Sequence, residues 1–374
     1  MENGPEPEVH TPWWRSRWLQ AAVSVAVVAL IFGFFFPRIA DYGEVWTTIT
    51  TMSPLGLTAL LAVAAWNLVA TWPMLTSVQP GLRLREAAVA NLASTAVANT
   101  LPGGAALGVG VTMTMQRSWG IPVPETALAT VVAGVWNNFA KLGLPMAALA
   151  LLALSGDAGP ALTSAALIGL AVLTAAIGLF AMLLRSEHAA ARVGAASGRV
   201  ASALSKCFGR PPISGWDQRA MAFRAEIVDL LRQRWIQITA TALVSHLSLY
   251  AVLLVALRSI GVPNSEVSWQ VVLAAYSFVR LLSAVPVTPG GLGVVELGLT
   301  AALGSGLSGH TDDQIAAAVL LYRALTWLLP IPLGIGCWVF WRSNTGWRHT
   351  IDERRALRRG AGRPTPAPAV DATP

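Results

Sequence analysis

Charged residues are scarce in this sequence. They make up 12% of the chain, whereas 54% of its residues are hydrophobic, and a soluble domain carries about a quarter charged residues. Four long segments contain no Asp, Glu, Lys or Arg: residues 18–36, 54–72, 161–184 and 235–257. Each approaches or exceeds the length of about 20 residues that crosses a hydrocarbon core. Because lipid offers the backbone no hydrogen-bond partner, the sequence predicts that these segments are transmembrane helices.

Residues that commonly serve catalysis or metal binding are also few. The chain has two cysteines and five histidines, and we expect His246, the one histidine within a predicted span, to face a neighbouring helix. The sequence patterns of a nucleophile elbow, a Walker loop and a zinc-protease helix are all missing. No cluster of His, Cys or carboxylates suggests a metal site. The sequence therefore predicts no metal, no cofactor and no enzymatic activity.

Basic residues outnumber acidic ones, which gives a formal net charge of +7, and they cluster in two places. These are the connection 185–234 and the tail 342–374, both of which the positive-inside rule places in the cytoplasm. Arg15 and Arg17 place the N-terminus there too. Clusters beside membrane spans favour anionic lipid headgroups, rather than nucleic acid, as the partner.

These patterns predict three regions in a multi-pass protein of the plasma membrane, with both termini in the cytoplasm. The regions are a cytoplasmic N-terminal tail (1–17), a transmembrane domain (18–341) and a basic, partly disordered tail (342–374). The fold class is all-α, with about six full spans and two short helical hairpins. The predicted full spans are residues 18–36, 54–72, 125–154, 161–184, 235–257 and 314–341.

The two predicted hairpins, 86–117 and 267–306, share a helix-breaking centre. Pro102-Gly103-Gly104 interrupts the first and Pro289-Gly290-Gly291 interrupts the second. A broken backbone inside a membrane is tolerated only where protein or water surrounds it. We therefore predict re-entrant hairpins that enter from opposite sides, which makes the two halves an inverted repeat. Pairs of full spans are an open alternative, because two crossings also return the chain to its starting face.

Four ionisable residues fall within predicted membrane segments: Lys141, Arg280, Glu296 and Arg323. Each such residue costs roughly 2.5–3.5 kcal/mol at a helix centre on insertion scales, so a partner or a function is expected. Arg280 and Glu296 lie at similar distances from the second Pro-Gly-Gly, which favours an ion pair that holds that hairpin closed. The cations together outnumber Glu296, so Arg280, Arg323 and Lys141 are candidates for binding an anionic group.

The hairpin centres and the polar residues near Lys141 complete the predicted site. Glycines there permit positive φ and close backbone approach, and broken helices present N–H groups to an anion. Tight helix packing between small residues is the structural alternative. The predicted substrate-binding residues are Arg280, Arg323, Lys141, Glu296, Pro102, Gly103, Gly104, Pro289, Gly290, Gly291, Gly293, Asn137 and Asn138.

The segment 285–296, Val-Pro-Val-Thr-Pro-Gly-Gly-Leu-Gly-Val-Val-Glu, resembles the signature of the lysylphosphatidylglycerol synthase transmembrane, or flippase-like, family. Arg280, the segment 321–330 and Leu101-Pro102-Gly103-Gly104 fit the same pattern, and the resemblance covers roughly residues 18–341. It implies a membrane domain that moves lipids or lipid-linked intermediates between leaflets. Bifunctional members carry a soluble aminoacyl-transferase domain after this domain; 33 residues follow Trp341 here, so we expect that activity to be absent.

The first half departs from the family pattern in two places. The family tends to have an acidic residue soon after the first Pro-Gly-Gly, where this chain has residues 105–110. It also tends to have an Arg and Asp pair in the next span, where this chain has Asn137, Asn138 and Lys141.

Three functions are compatible with the sequence. The first is a lipid translocase for an anionic phospholipid or a lipid-linked cell-envelope intermediate. The second is a membrane-embedded transferase acting on a lipid-linked substrate, for which Glu296 would be the carboxylate at hand. The third is a non-catalytic partner of a cell-envelope enzyme.

Overall fold

The computed structural model describes Thr47, Thr50 and residues 52–361, with gaps at 102, 155–159, 189–191, 193–215, 284–288, 292 and 305–308. The chain divides into a unit Met1–Thr51 and a unit Met52–Pro374. All helices discussed below lie in the second unit. Every regular element of the described residues is helical, which confirms the predicted all-α class.

The first helix shows how local sequence sets a boundary. Pro54 occupies the first turn, where its missing N–H costs nothing, and Ser53 Oγ accepts a hydrogen bond from the N–H of Gly56 at 3.1 Å. The α-helices of the described residues are α1 (Pro54–Ala70), α2 (Trp72–Val78), α3 (Leu84–Thr100), α4 (Gly104–Ser118), α5 (Val123–Leu154), α6 (Pro160–Arg185), α7 (Trp216–Ile260), α8 (Trp269–Leu282), α9 (Val294–Gly304), α10 (Gly309–Arg323), α11 (Pro330–Ser343) and α12 (Ile351–Ala361).

Helical segments in the described residues are long and apolar enough to cross a membrane in five places. These are Pro54–Val78, Val123–Leu154, Leu167–Arg185, Ala220–Ile260 and Asp313–Ser343. They match five of the six predicted full spans. The remaining predicted span, residues 18–36, lies outside the described residues.

The first hairpin consists of α3 and α4, which pack against each other. Between them Gly103 adopts a φ of 68°, a left-handed conformation that suits glycine. A side-chain Cβ on Gly104 would lie 2.6 Å from the carbonyl oxygen of Ala98. Glycine is therefore needed both to turn the chain and to start α4 so close to the end of α3.

The second hairpin consists of α8 and α9, which also pack against each other. A short 3-10 turn, Pro289–Gly291, lies between them. Gly290, Gly291 and Gly293 have positive φ values of 60°, 72° and 79°. The predicted helix break at the second Pro-Gly-Gly is therefore confirmed.

The last predicted span is interrupted by a π-helical segment, Ala324–Leu328, between α10 and α11. The N–H of Leu329 donates to the carbonyl oxygen of Ala324 at 2.8 Å, five residues back. Pro330 and Pro332 supply no N–H in the following turn, which disfavours regular α-helical bonding there. α11 then packs along α3, and Gly334 lies so close to the carbonyl oxygen of Leu92 that a side chain would clash.

The helix α12 lies in the tail, where the sequence analysis predicted partial disorder. Its first turn is capped reciprocally: Thr350 N–H donates to Glu353 Oε2 at 2.7 Å, and Glu353 N–H donates to Thr350 Oγ1 at 3.3 Å. The backbone N–H of Thr350 lowers the pKa of the Glu353 carboxyl. This capping box explains why a helix begins here despite the high density of arginines. The predicted disorder concerns residues 360–374, so α12 lies mostly before it, and residues 362–374 lie outside the described residues.

The tail contacts both ends of the first hairpin. Arg354 donates to both carboxylate oxygens of Glu86, at 2.6 Å each, near the start of α3. Their side chains are 3% and 2% exposed. At the end of α4, Ser118 accepts hydrogen bonds from His349 N–H and Trp341 Nε1 at 3.1 and 2.9 Å. The base of the first hairpin and the tail therefore lie on the same side of the protein.

Candidate substrate site between the two hairpins

A cavity of about 550 Å³ lies where the two hairpin turns meet. Gly103 and Gly104 line it from the first hairpin, and Gly290 and Gly291 line it from the second. The turn Pro289–Gly291 packs against α3. The glycines of the two Pro-Gly-Gly segments, far apart in sequence, therefore border one common space.

Three of the predicted cationic residues reach this cavity from three different helices. Lys141 extends from α5, Arg280 from α8 and Arg323 from the end of α10. No Asp or Glu is among the described residues that line the cavity. The structure thus brings together the charged residues that the sequence analysis selected, although their role in binding stays a prediction.

Glu296 is the ion-pair partner of Arg323. Arg323 Nε donates to Glu296 Oε1 at 2.6 Å, and both side chains are 10% exposed. Glu296 Oε2 accepts the N–H of Gly293 at 2.8 Å, while Arg323 Nη2 donates to the carbonyl oxygen of Gly290 at 3.0 Å. The ion pair therefore stabilises the second hairpin turn through the backbone of Gly290 and of Gly293.

The predicted pairing of Glu296 with Arg280 is wrong. The prediction compared depths along the two arms of one hairpin, but equal depth does not place two side chains on facing surfaces. Helix α10 packs against α9, and its Arg323 reaches the carboxylate instead. The structural role predicted for Glu296 holds, with a different cation as its partner.

Arg280 and Lys141 remain without an opposite charge in the described residues. Arg280 Nε is buried and has no hydrogen-bond partner there. No ion pair of the described residues includes Lys141, and the two cations line the same cavity. Because Glu296 balances Arg323, these two residues give the cavity its net positive charge.

Uncharged polar side chains form much of the remaining cavity lining, and the sequence analysis missed them. Asn91, Thr95 and Asn99 all lie on α3 at intervals of four residues, which places them on one helix face. That spacing in an otherwise apolar arm was the signal that could have identified them. The described polar residues of the lining, apart from the charged ones, are Asn67, Thr71, Asn91, Thr95, Asn99, Ser283, Tyr322, Thr326 and Trp327.

One contact joins the first hairpin to the interrupted last span. Asn99 Nδ2 donates to the carbonyl oxygen of Trp327 at 2.9 Å. The Trp327 ring lies 5.5 Å from Arg323 Cζ, within the range of a cation–π contact. Its Nε1 packs against Gly290, where any Cβ would clash, and makes no hydrogen bond with a described residue. The π segment thus places a tryptophan between the two turns.

Other predicted site residues lie away from the cavity lining. Asn137 Oδ1 is 3.1 Å from His246 Nε2 of α7, which confirms that His246 faces a neighbouring helix. Asn138, Pro289 and Gly293 are not among the lining residues. Pro102 lies outside the described residues.

Sequence comparison now gives the family. The family model described as "Lysylphosphatidylglycerol synthase TM region" matches residues 20–334. This chain belongs to that family. The match includes every described residue that lines the cavity, and it confirms the resemblance drawn from the Pro-Gly-Gly segments. The lysylphosphatidylglycerol synthase TM region is a membrane domain related to lipid handling, in agreement with the multi-pass fold. A comparison with curated proteins finds no match.

Proposed function

We propose that this protein is a lipid translocase that moves an anionic phospholipid, or an anionic lipid-linked cell-envelope intermediate, between leaflets. The observation that carries the proposal is a cavity shared by the two broken hairpins, in which Arg280 and Lys141 have no opposite charge in the described residues. Transporters with inverted repeats hold their substrates where broken helices meet near the midplane. Family membership supports a lipid as the substrate.

The charge of the cavity supports an anionic headgroup. Arg280 and Lys141 are half-buried; cations without an opposite charge are costly within a membrane, and a phosphate that enters the cavity relieves that cost. The guanidinium group of Arg280 offers a planar fork that matches two phosphate oxygens, whereas Lys141 offers a compact point charge. The glycines of both turns let backbone approach the headgroup closely.

We also propose that the two halves form an inverted repeat in the plasma membrane, with both termini in the cytoplasm. Contacts between element ends support this arrangement. The base of the first hairpin contacts the tail through Glu86 and Arg354, and the end of α7 contacts the start of α1 through Ser259 and Gly56. The first contact joins ends that the charge pattern places inside, and the second joins ends that it places outside.

The proposed function involves no chemical step. Glu296 is the carboxylate that a transferase would require, and it is held by Arg323 and by the N–H of Gly293. Both of its oxygens are thus already engaged by donors within the protein, which leaves this carboxylate a structural role. Lipid movement then depends on a gradient or on simple equilibration between leaflets.

Leaflet exchange in proteoliposomes tests the proposal. We expect the protein to accelerate the exchange of acyl-labelled anionic phospholipids, measured as loss of fluorescence when an impermeant quencher is added outside. Arg280→Gln should slow this exchange by about ten- to a hundredfold, since charge-assisted hydrogen bonds contribute ~1.5–3 kcal/mol. Arg280→Lys should restore only part of it, because lysine lacks the fork.

The matched control is Arg117→Gln. Arg117 is exposed at the end of α4 and does not line the cavity, so its replacement removes the same charge without touching the proposed site. Its exchange rate should equal that of the unaltered protein. Equal exchange in vesicles with and without protein, across several anionic headgroups, would rule out the translocase function.

A further inference from the structure

Most of the polar residues that line the cavity are uncharged, so the lining indicates more about the ligand than the sign of its charge. Amide and hydroxyl groups come from α1, from α3, from α8 and from the last span. Such groups donate and accept hydrogen bonds, so they suit hydroxyl groups better than either charged or apolar substituents. A volume of about 550 Å³ is typical of a small-molecule site and exceeds what a bare phosphate fills.

Several of these neutral groups are not used within the protein. Asn91 and Thr95, one turn apart on α3, line the cavity, and neither side chain hydrogen-bonds to a described residue, whereas Asn67 and Thr71 are bonded to serines of α7. The side chains of Asn91 and Thr95 are both half-buried, so their polar groups are open to the cavity, where an unused amide and an unused hydroxyl suit a polar ligand.

The described lining of the cavity offers no carboxylate to an ammonium group. It contains no Asp or Glu, and Glu296 is already bonded to Arg323. An ammonium group would therefore meet Arg280 and Lys141 without a carboxylate to offset their repulsion. Like charges brought together in a poorly solvated space are strongly disfavoured.

We propose that the headgroup bound here is a phosphodiester that carries a polyol or sugar and no ammonium group. The inference rests on the proposed function, because it names the class of lipid that the same cavity takes. The phosphate lies with Arg280 and Lys141. The hydroxyl groups of the polyol or sugar bond to the amide and hydroxyl groups of α3. Asn91 and Thr95 are the residues that distinguish this headgroup from a bare phosphate ester.

Lipids of equal net charge test separately whether hydroxyl groups are preferred and whether an ammonium group is excluded. Phosphatidylglycerol and phosphatidylinositol carry hydroxyl groups, phosphatidylserine carries an ammonium group, and phosphatidylethanol carries neither. All four are phosphodiesters with a net charge of about −1 at neutral pH, as reference pKa values require. With matched labelled acyl chains, we expect the first two to exchange about tenfold faster than the last two, the factor that one net hydrogen bond typically supplies.

A pair of threonine variants identifies the residues responsible. Thr95→Val removes a hydroxyl group from the cavity, while Thr114→Val removes one from the exposed face of α4, outside the cavity. We expect Thr95→Val, and more strongly Thr95→Val with Asn91→Leu, to lower the ratio of phosphatidylinositol to phosphatidylethanol exchange. Thr114→Val should keep the ratio of the unaltered protein. A ratio that is the same in all variants would overturn the assignment of these residues.

Binding is measured separately from movement, as the rise in thermal stability that each lipid gives the purified full chain. If the lipids stabilise in the expected order but none exchanges, the headgroup class stands and the translocase proposal fails. If all four exchange equally, or phosphatidylserine matches phosphatidylglycerol, the headgroup class is wrong while translocation stands. Soluble inositol 1-phosphate is the remaining probe. Stabilisation by it equal to that by phosphatidylinositol would assign the cavity to a free phosphate ester rather than a lipid.

Discussion

At the scale of single residues, the four membrane-embedded charges have two separate roles. Glu296 and Arg323 bond to each other and to the backbone of the second turn, so they stabilise the structure. Arg280 and Lys141 face the cavity without an opposite charge in the described chain. A residue's position in the membrane therefore does not reveal its role, which depends on what its charged atoms contact.

Two arginine variants test this division. Arg323→Gln leaves the Glu296 carboxylate buried without a cation, which should cost about 3–5 kcal/mol of unfolding free energy. Arg280→Gln leaves no carboxylate unpaired and removes a repulsion with Lys141, so stability should stay equal or rise. The midpoint of thermal unfolding of the purified protein measures both effects. Adding Glu296→Gln to Arg323→Gln should recover most of the loss, and an equal loss in both single variants would contradict the division.

The sequence predicted which charges would be close together but not which would pair. Lys141, Arg280 and Arg323 were selected by their positions in apolar segments, and all three line one cavity. The pairing depends on how α10 is rotated against α9. That rotation results from packing between segments that are distant in sequence, which a hydrophobicity pattern does not specify. The same holds for the neutral polar face of α3.

At the scale of the secondary-structure elements, both hairpins depend on glycine for positive φ and for close contacts. In the first hairpin Gly103 has a positive φ, and a Cβ on Gly104 would collide with backbone oxygens of α3. In the second, the turn glycines have positive φ values, and a Cβ on Gly290 would collide with Trp327. The sequence predicted both breaks correctly from Pro-Gly-Gly, since the backbone restrictions of proline and glycine are local.

Two glycine-to-alanine substitutions in α4 distinguish the effect of close packing against α3 from the effect of helix propensity. Gly104→Ala places a Cβ 2.6 Å from the carbonyl oxygens of Val97 and Ala98, whereas Gly110 has no atom within 4 Å of the corresponding position. Gly110→Ala should therefore be neutral or stabilise by about 0.5–1 kcal/mol, the usual helix gain. Gly104→Ala should destabilise and lower leaflet exchange. Thermal midpoints that move alike in the two variants would show that the close approach is not required.

The π segment and α12 were not predicted from the sequence. The apolar composition of residues 314–341 predicts one continuous span, and the extra residue in one turn becomes visible only in the hydrogen bond from Leu329 to Ala324. The tail has a strongly basic composition that is typical of a solvated segment. Its helix forms because it is capped by Thr350 and Glu353 and because Arg354 finds a buried carboxylate.

At the scale of the whole molecule, the inverted repeat predicts opposite faces for the bases of the two hairpins. Arg117 lies at the end of the first hairpin, and Asp313 lies near the start of the span that follows the second. Both are exposed. After replacement of Cys207 and Cys337 by serine, Arg117→Cys should react with an impermeant maleimide only from the cytoplasmic side. Asp313→Cys should react only from outside, and labelling of both from one side would exclude the repeat.

The bond between Arg354 and Glu86 joins residues 268 positions apart. At a synthesis rate of about 5–20 residues per second, this separation corresponds to on the order of tens of seconds of translation. During that time the Glu86 carboxylate has no access to its cation, although α3 and α4 have already been made. During synthesis the first hairpin therefore lacks the ion pair at its base. The protein reaches its final arrangement only after the ribosome has passed the last membrane span.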